Sequence, residues 1–115
     1  MSSRSVKSRM QRAPDSAERI LRYNDLTVDI DRFRVVRAGR PLQMSHREYQ
    51  LLCLFLRHPG EILSRKALIA AAWPSGAKVT VGAFDMHIHR LRQALNVARE
   101  VELIHTVLGK GHMLW

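Results

Sequence analysis

The chain has 115 residues, with 19 Lys and Arg against 10 Asp and Glu, so its formal net charge at pH 7 is +9. This length favours one domain. A pI near 11.0 indicates an anionic partner, either nucleic acid or an anionic membrane surface, and is less typical of a protein whose positive charge has no role in binding. No apolar run approaches the ~18 residues of a membrane span and Cys53 is the single cysteine, so we expect a cytoplasmic protein with neither a membrane partner nor an internal disulfide.

Residues 1–22 differ in composition from the rest of the chain. They contain six basic and two acidic residues, several serines and Pro14, with almost no apolar periodicity. This composition predicts a flexible basic tail or linker ahead of a folded domain over residues 23–115. The folded part has thirteen basic and eight acidic residues, so it is basic in its own right.

The first regular elements are predicted to be strands. Apolar and polar residues alternate from Leu26 to Ile30, as in a half-buried strand. The stretch FRVVRAGRPL predicts a second strand, a turn at Ala38 and Gly39, and a short third strand.

Helices are predicted next. Ser45 and Glu48 form a capping-box pattern, which opens an apolar helix that closes before Pro59. Ser64 is placed to cap a second helix, which Pro74 ends. Residues 74–82 are predicted to be a loop, and residues 83–97 a third helix.

The third helix is predicted to be amphipathic with a cationic outer face. At 100° per residue, four apolar side chains fall within about 60° of arc and form a stripe that should be buried. They are Phe84, Ile88, Leu91 and Leu95. The opposite face carries Met86, His89, Arg90 and Gln93.

The chain ends in a predicted hairpin over residues 104–115, with the glycine turn GKG between two short strands. Strands, three helices and a hairpin in this order indicate an α+β fold of the winged helix-turn-helix type. In such a fold the helix over 83–97 enters the major groove of double-stranded DNA, and the wing lies on an adjacent groove.

Four stretches, in register, are similar to motifs of one family. They are MSHREYQLL, HPGEILSRKALIAAAW, FDMHIHRLRQAL and IHTVLGKGHML. Over about residues 24–115 the chain resembles the effector domain of OmpR/PhoB-type response regulators of bacterial two-component systems. The resemblance implies a four-stranded N-terminal sheet, a three-helix core and a C-terminal wing. It also implies transcription regulation, a dimer on repeated DNA half-sites, and contact with RNA polymerase through the 74–82 loop.

The chain departs from the family pattern at three places. Leu108 stands where relatives usually have Arg, His112 where they have Tyr, and Gly82-Ala83 where they often have Arg-Thr. We therefore expect a sequence preference different from that of relatives. No segment resembles the receiver domain that relatives usually carry, and both a domain separated from its receiver and a regulator without one stay open.

The candidate base-reading residues lie on the outer face of the third helix. Arg90 is suited to guanine O6 and N7, and Met86 to a thymine methyl group. Gln93 is suited to an adenine edge, although a surface glutamine more often only meets water. His89 stands where relatives often have Arg and is only partly charged near pH 7.

A second group of candidates is predicted to contact the DNA backbone. By resemblance, Arg65 and Trp73 contact phosphates, as do His87 and Arg92, although Trp73 is equally consistent with the core. Asp85 is placed to hold Arg92 by a salt bridge. The wing adds Thr106, Lys110 and His112.

Other functions find less support in the residues. His87 and His89 point about 160° apart on a helix, so they do not converge on a metal. GKG lacks the P-loop pattern, and no catalytic arrangement stands out, so we expect neither a cofactor nor an enzyme. The alternative is a winged helix for protein interaction or RNA binding, which charge lying away from the 83–97 helix would favour.

Overall fold

The computed structural model describes residues 19–97 and 101–115. Within these residues the chain forms a four-stranded antiparallel sheet, three helices and a two-stranded hairpin. The sheet, in the order β1-β2-β3-β4, consists of Ile20–Tyr23, Leu26–Asp29, Arg34–Arg37 and Arg40–Leu42. The helices α1, α2 and α3 are His46–Arg57, Arg65–Ala72 and Val81–Leu95, and the hairpin strands β5 and β6 are Ile104–Val107 and Gly111–Leu114. The predicted winged helix-turn-helix architecture is confirmed.

Strand β1 corrects the predicted boundary of the tail. The predicted tail includes residues 20–22, but they pair with β2 in a register that places Ile20 opposite Asp29. Three of the four β1 residues are half-buried and their burial does not alternate, so periodicity did not reveal the strand. The four-stranded sheet implied by the family resemblance is confirmed. The rest of the predicted tail, residues 1–18, lies outside the described residues.

The turn between β3 and β4 is confirmed where the sequence placed it. Ala38 and Gly39 have φ angles of 50° and 80°, so both adopt the left-handed backbone that two-residue hairpin turns use. Phe33, ahead of β3, also has a positive φ of 51°. Its ring packs against Tyr49 at the start of α1, with 5.4 Å between ring centroids, and this contact helps to hold an unfavourable backbone angle.

The helix caps explain where the helices begin. Ser45 Oγ accepts from Glu48 N–H and Glu48 Oε1 accepts from Ser45 N–H, so the predicted capping box is confirmed. Ser64 caps α2 as predicted, by accepting from the N–H of Ala67.

Helix α3 lies two residues earlier than the predicted span of 83–97. Thr80 Oγ1 accepts from Ala83 N–H, so the helix begins at Val81 and the 74–82 loop is shorter than predicted. Thr80 is a good N-cap residue, but its β-branched neighbours do not suggest a helix start. At the other end, Asn96 terminates the helix.

The core lies between the sheet and the three helices. Helix α3 contributes the four side chains of the predicted apolar stripe, all of them buried. Helix α1 supplies Leu51, Leu52 and Phe55 on the facing side. Cys53 is also buried, and burial raises the pKa of its thiol, in keeping with a small core residue. The stripe predicted from periodicity is thus confirmed.

Replacing Leu91 with alanine is expected to lower the free energy of unfolding by about 2–5 kcal/mol, because it leaves a cavity beneath α3. Leu91 is 0% exposed, whereas Leu108 is 90% exposed and provides the control. Leu108→Ala should change the free energy by no more than about 0.5 kcal/mol. Chemical denaturation measures both, and equal unfolding midpoints for the two variants would contradict the assignment of the buried stripe.

Candidate nucleic-acid interface

The outer face of α3 presents the side chains that the sequence predicted. Met86 is 50% exposed, and His89, Arg90 and Gln93 are also exposed. Because Ile88 and Leu91 are buried, the rotation of the helix directs Arg90 away from the core. The structure therefore brings these four candidates together on one surface.

A cleft of about 660 Å³ lies between the start of α2, helix α3 and the wing. Arg65 and Lys66 line it from α2, and Lys110 lines it from the wing. Asp85 is the acidic residue in its lining. Lys66 was not among the predicted candidates, although it follows Arg65 in the first turn of a helix capped by Ser64. The cleft concentrates positive charge beside the outer face of α3.

Arg92 occupies a different position from the one predicted. Its Nε donates to the carbonyl oxygen of Ile104 at 3.0 Å, and its Nη2 donates to Thr106 Oγ1 at 2.6 Å. The expected salt bridge to Asp85 is wrong, because the guanidinium faces β5 instead. Arg92 and Thr106 thus bond to each other and join α3 to the wing.

His112 is 9% exposed although it lines the cleft, so little of its surface is open to a ligand and its DNA contact stays a prediction. Its ring centroid lies 5.7 Å from that of Phe84, and its Nδ1 lies 3.1 Å from Thr106 Oγ1. Thr106 accepts from Arg92 and keeps its hydroxyl hydrogen, so a neutral ring whose Nδ1 accepts from that hydroxyl fits this contact. Burial, reinforced by the charge of Arg92, lowers the pKa of His112.

The base of the wing is fixed to the segment before α2. The backbone N–H of His112 donates to the carbonyl of Leu63 at 2.9 Å, and the N–H of Leu63 donates back at 2.7 Å. A Cβ on the neighbouring Gly111 would lie 2.1 Å from the Leu63 carbonyl oxygen. Only glycine therefore permits this close approach, which places the wing beside the start of α2.

His87 faces the protein interior and bonds to α1. Its Nδ1 lies 2.7 Å from Oε2 of Glu48, a buried side chain. Burial acts to raise the pKa of the Glu48 carboxyl, but hydrogen bonds from His87 and Ser45 outweigh it and hold the pKa below its ordinary value. The predicted phosphate contact of His87 would thus have to come from the part of the ring that Glu48 leaves accessible.

Trp73 is half-buried at the end of α2 and completes this network. Its ring meets His87 edge-on, with centroids 5.4 Å apart, and lies 6.1 Å from Phe84. The guanidinium of Arg47 lies 4.7 Å from the centroid of the Trp73 ring, and its Nε donates to the carbonyl of Ala72. The core interpretation of Trp73 is therefore the one that its contacts support.

In the ranges 19–97 and 101–115, no group of three or more His, Cys, Asp and Glu is arranged to hold a metal ion. None of the helices within these ranges has the length and apolar character needed to cross a membrane.

Comparison with known proteins identifies the family. The family model described as "Transcriptional regulatory protein, C terminal" matches residues 39–114. The chain belongs to this family. A curated relative in the family, the phosphate regulon transcriptional regulatory protein PhoB of Rhizobium meliloti, is 34% identical over 110 residues, which are 95% of this chain and 48% of PhoB. The chain thus spans about half the length of the curated relatives it matches.

Solved structures support the same assignment. The DNA-binding domain of Escherichia coli CadC is 31% identical, with a TM-score of 0.74, over 84% of this chain and 91% of that one. The Klebsiella pneumoniae RstA DNA-binding domain, in complex with the RstA box, is 28% identical, with a TM-score of 0.70, over 83% and 95%. The resemblance to OmpR/PhoB-type domains and the winged-helix fold are confirmed.

The pH dependence of folding should report on His112. Its pKa in the folded protein lies below the ordinary value of 6.5. The neutral ring therefore makes its full contribution to the free energy of unfolding above pH 6.5, and this contribution is lost as the pH falls through the pKa of the folded protein. His112→Phe removes this titration. The melting temperature of the unchanged chain should therefore fall more steeply below pH 6.5 than that of the variant, and parallel pH profiles would contradict the buried neutral ring.

Proposed function

We propose that this chain binds double-stranded DNA in a sequence-specific way and regulates transcription, with α3 in the major groove and the wing on an adjacent groove. The observation that carries this proposal is a cleft that Arg65, Lys66 and Lys110 line together with Asp85 of α3, the neighbour of Met86 on the exposed face. Positive charge on a convex helix face and in an adjoining cleft suits the phosphates of a duplex. The structure of the similar RstA domain in complex with the RstA box supports DNA binding as the function.

The side chains on the exposed face of α3 would contact the DNA bases. Arg90 would donate two hydrogen bonds to guanine, and Met86 would pack on a thymine methyl group. Gln93 would reach an adenine edge and His89 a phosphate or base at the groove wall. Every one of these side chains is exposed and none is held by an ion pair that the described residues show.

Phosphate contacts would come from α2 and the wing. Arg65 and Lys66 lie in the first turn of α2, where the helix dipole also favours an anion. Lys110 would act from the wing and compensate for the absence of an arginine at Leu108. These contacts position the domain on the duplex and carry no sequence information of their own.

The remaining candidates are proposed to act mainly as supports. Arg92, Thr106 and His112 form a chain of hydrogen bonds that links α3 to the wing. His87 and Trp73 link α3 to the other two helices. They would influence binding through the placement of the two DNA-contacting elements, and exposed edges of Thr106 and His87 would add phosphate contacts.

Further partners are proposed from the family. The basic residues among 1–18 would add affinity without specificity, as a phosphate-seeking arm. The loop between α2 and α3, whose residues 74–78 are exposed, would contact RNA polymerase. A second copy of the chain would occupy a repeated half-site. All of these are roles of a cytoplasmic transcription factor, and none requires an enzymatic activity.

Arg90→Ala tests the assignment of α3. Binding to the preferred duplex should weaken by about 1–3 kcal/mol, with relaxed discrimination at one or two base pairs, because a bidentate base contact is lost. The melting temperature should not change, since Arg90 is exposed. The control is Arg57→Ala, which removes the same charge from an exposed site on α1. Unchanged affinity of a folded Arg90→Ala variant would refute the recognition-helix assignment.

The salt dependence of binding tests the partner class. If about five phosphates are neutralised, log K should fall linearly with log[salt] at a slope near −4 to −5. Titrations of a fluorescent duplex over a range of salt concentrations measure this slope. A slope near zero would favour the alternative, a winged helix for protein interaction. A duplex RNA of the same sequence that binds as tightly as the DNA would favour an RNA-binding module.

A further inference from the structure

Arg37 is the largest side chain that the described part of the chain buries completely, at 1% exposure. It is the last residue of β3, immediately before the Ala38-Gly39 turn. A buried guanidinium is unfavourable unless its charge is paired and its N–H groups are bonded. The contacts of the guanidinium must therefore explain why Arg37 can be buried.

The guanidinium contacts three separate parts of the chain. Its Nε donates to both carboxylate oxygens of Asp25, in the β1–β2 turn, at 3.1 and 3.3 Å. Its Nη1 donates to the carbonyl of Leu95 at 3.0 Å and to Asn96 Oδ1 at 2.8 Å. Its Nη2 donates to the carbonyl of Val101 at 2.7 Å.

These acceptors lie at both ends of the connection between α3 and the wing. Leu95 is the last residue of α3, so its carbonyl has no partner within the helix, and a positive charge is favourable there. Val101 lies on the segment that leads into β5. Asn96 also donates to Glu102 Oε1 at 2.9 Å, which ties the two ends to each other. One planar side chain thus anchors the connection to the sheet.

The connection determines how α3 and the wing are arranged relative to each other. Arg92 joins α3 to β5, and Phe84 packs against His112 of β6. Both of these contacts lie ahead of the last residue of α3. The Arg37 contacts add an attachment at the end of α3, which restricts the rotation of the wing relative to the helix.

We propose that Arg37 is a positioning residue for DNA recognition, which holds α3 and the wing at the angle that lets both engage one duplex. The inference rests on the proposed function. Arg90 on α3 and Lys110 on the wing would then meet their base and phosphate in the same register. Lysine cannot replace Arg37, because one ammonium group lacks the planar fork that spans Asp25, Leu95 and Val101.

Arg37→Lys in the full 115-residue chain tests this role. The unchanged chain first selects duplexes from a random-sequence pool, and Kd is then measured for the selected duplex and for a scrambled duplex of the same composition. Loss of the angle should weaken binding to the selected duplex about tenfold, equivalent to ~1.4 kcal/mol. Binding to the scrambled duplex and its salt slope should not change, because the exposed phosphate contacts are intact. Arg34→Lys, at an exposed site on the same strand, is the matched control and should not alter the ratio of the two Kd values.

A merely structural role predicts a different result. It would lower the melting temperature and weaken both duplexes by the same factor, and this outcome, or an unchanged ratio in folded Arg37→Lys, overturns the inference. If Arg37→Lys does not fold, Asp25→Asn decides. This substitution removes the charge that pairs with Arg37, and the Asp25 side chain is itself partly exposed. A smaller preference for the selected over the scrambled duplex supports the inference, and an unchanged preference overturns it. If the unchanged chain selects no sequence at all, the proposed function itself fails.

Discussion

The rotation of α3 about its own axis is the constraint on which the candidate interface depends. Phe84, Ile88, Leu91 and Leu95 are all buried in the core, so the helix cannot turn without exposing apolar surface. A helix held in this way has a defined outer face, and Arg90 lies on it. The hydrophobic core thus determines the orientation of polar side chains that take no part in packing.

Polar contacts between distant parts of the chain define the angles between elements, which apolar packing alone leaves less well defined. Apolar contacts are not directional, so they set the distance between elements better than their angle. Hydrogen bonds have directional geometry. Glu48 bonds to His87 across α1 and α3, and Arg92 bonds to Ile104 across α3 and β5. These bonds define the arrangement of the helices and the wing, and removing one partner would leave a buried polar group without compensation.

The candidate residues fall into two groups that the sequence does not separate. Met86, His89, Arg90 and Gln93 are exposed, as helical periodicity predicted. His87 and Arg92 come from the same helix motif and His112 comes from the wing motif, yet each is held by an internal hydrogen bond. Family resemblance transfers the position of a residue but not its surroundings.

The sequence by itself determined the element order, the buried stripe of α3, the capping box at Ser45 and the turn at Ala38, because each depends on residues close in sequence. It did not determine strand β1, whose burial lacks alternation, or the start of α3 at Val81, which depends on a cap that β-branched neighbours obscured. Only the tertiary structure decided that Arg92 faces the wing and that His112 lies in the interior. Their partners, Ile104 and Phe84, come from other elements of the fold. Periodicity describes one element at a time, and the surroundings of a side chain depend on which elements pack together.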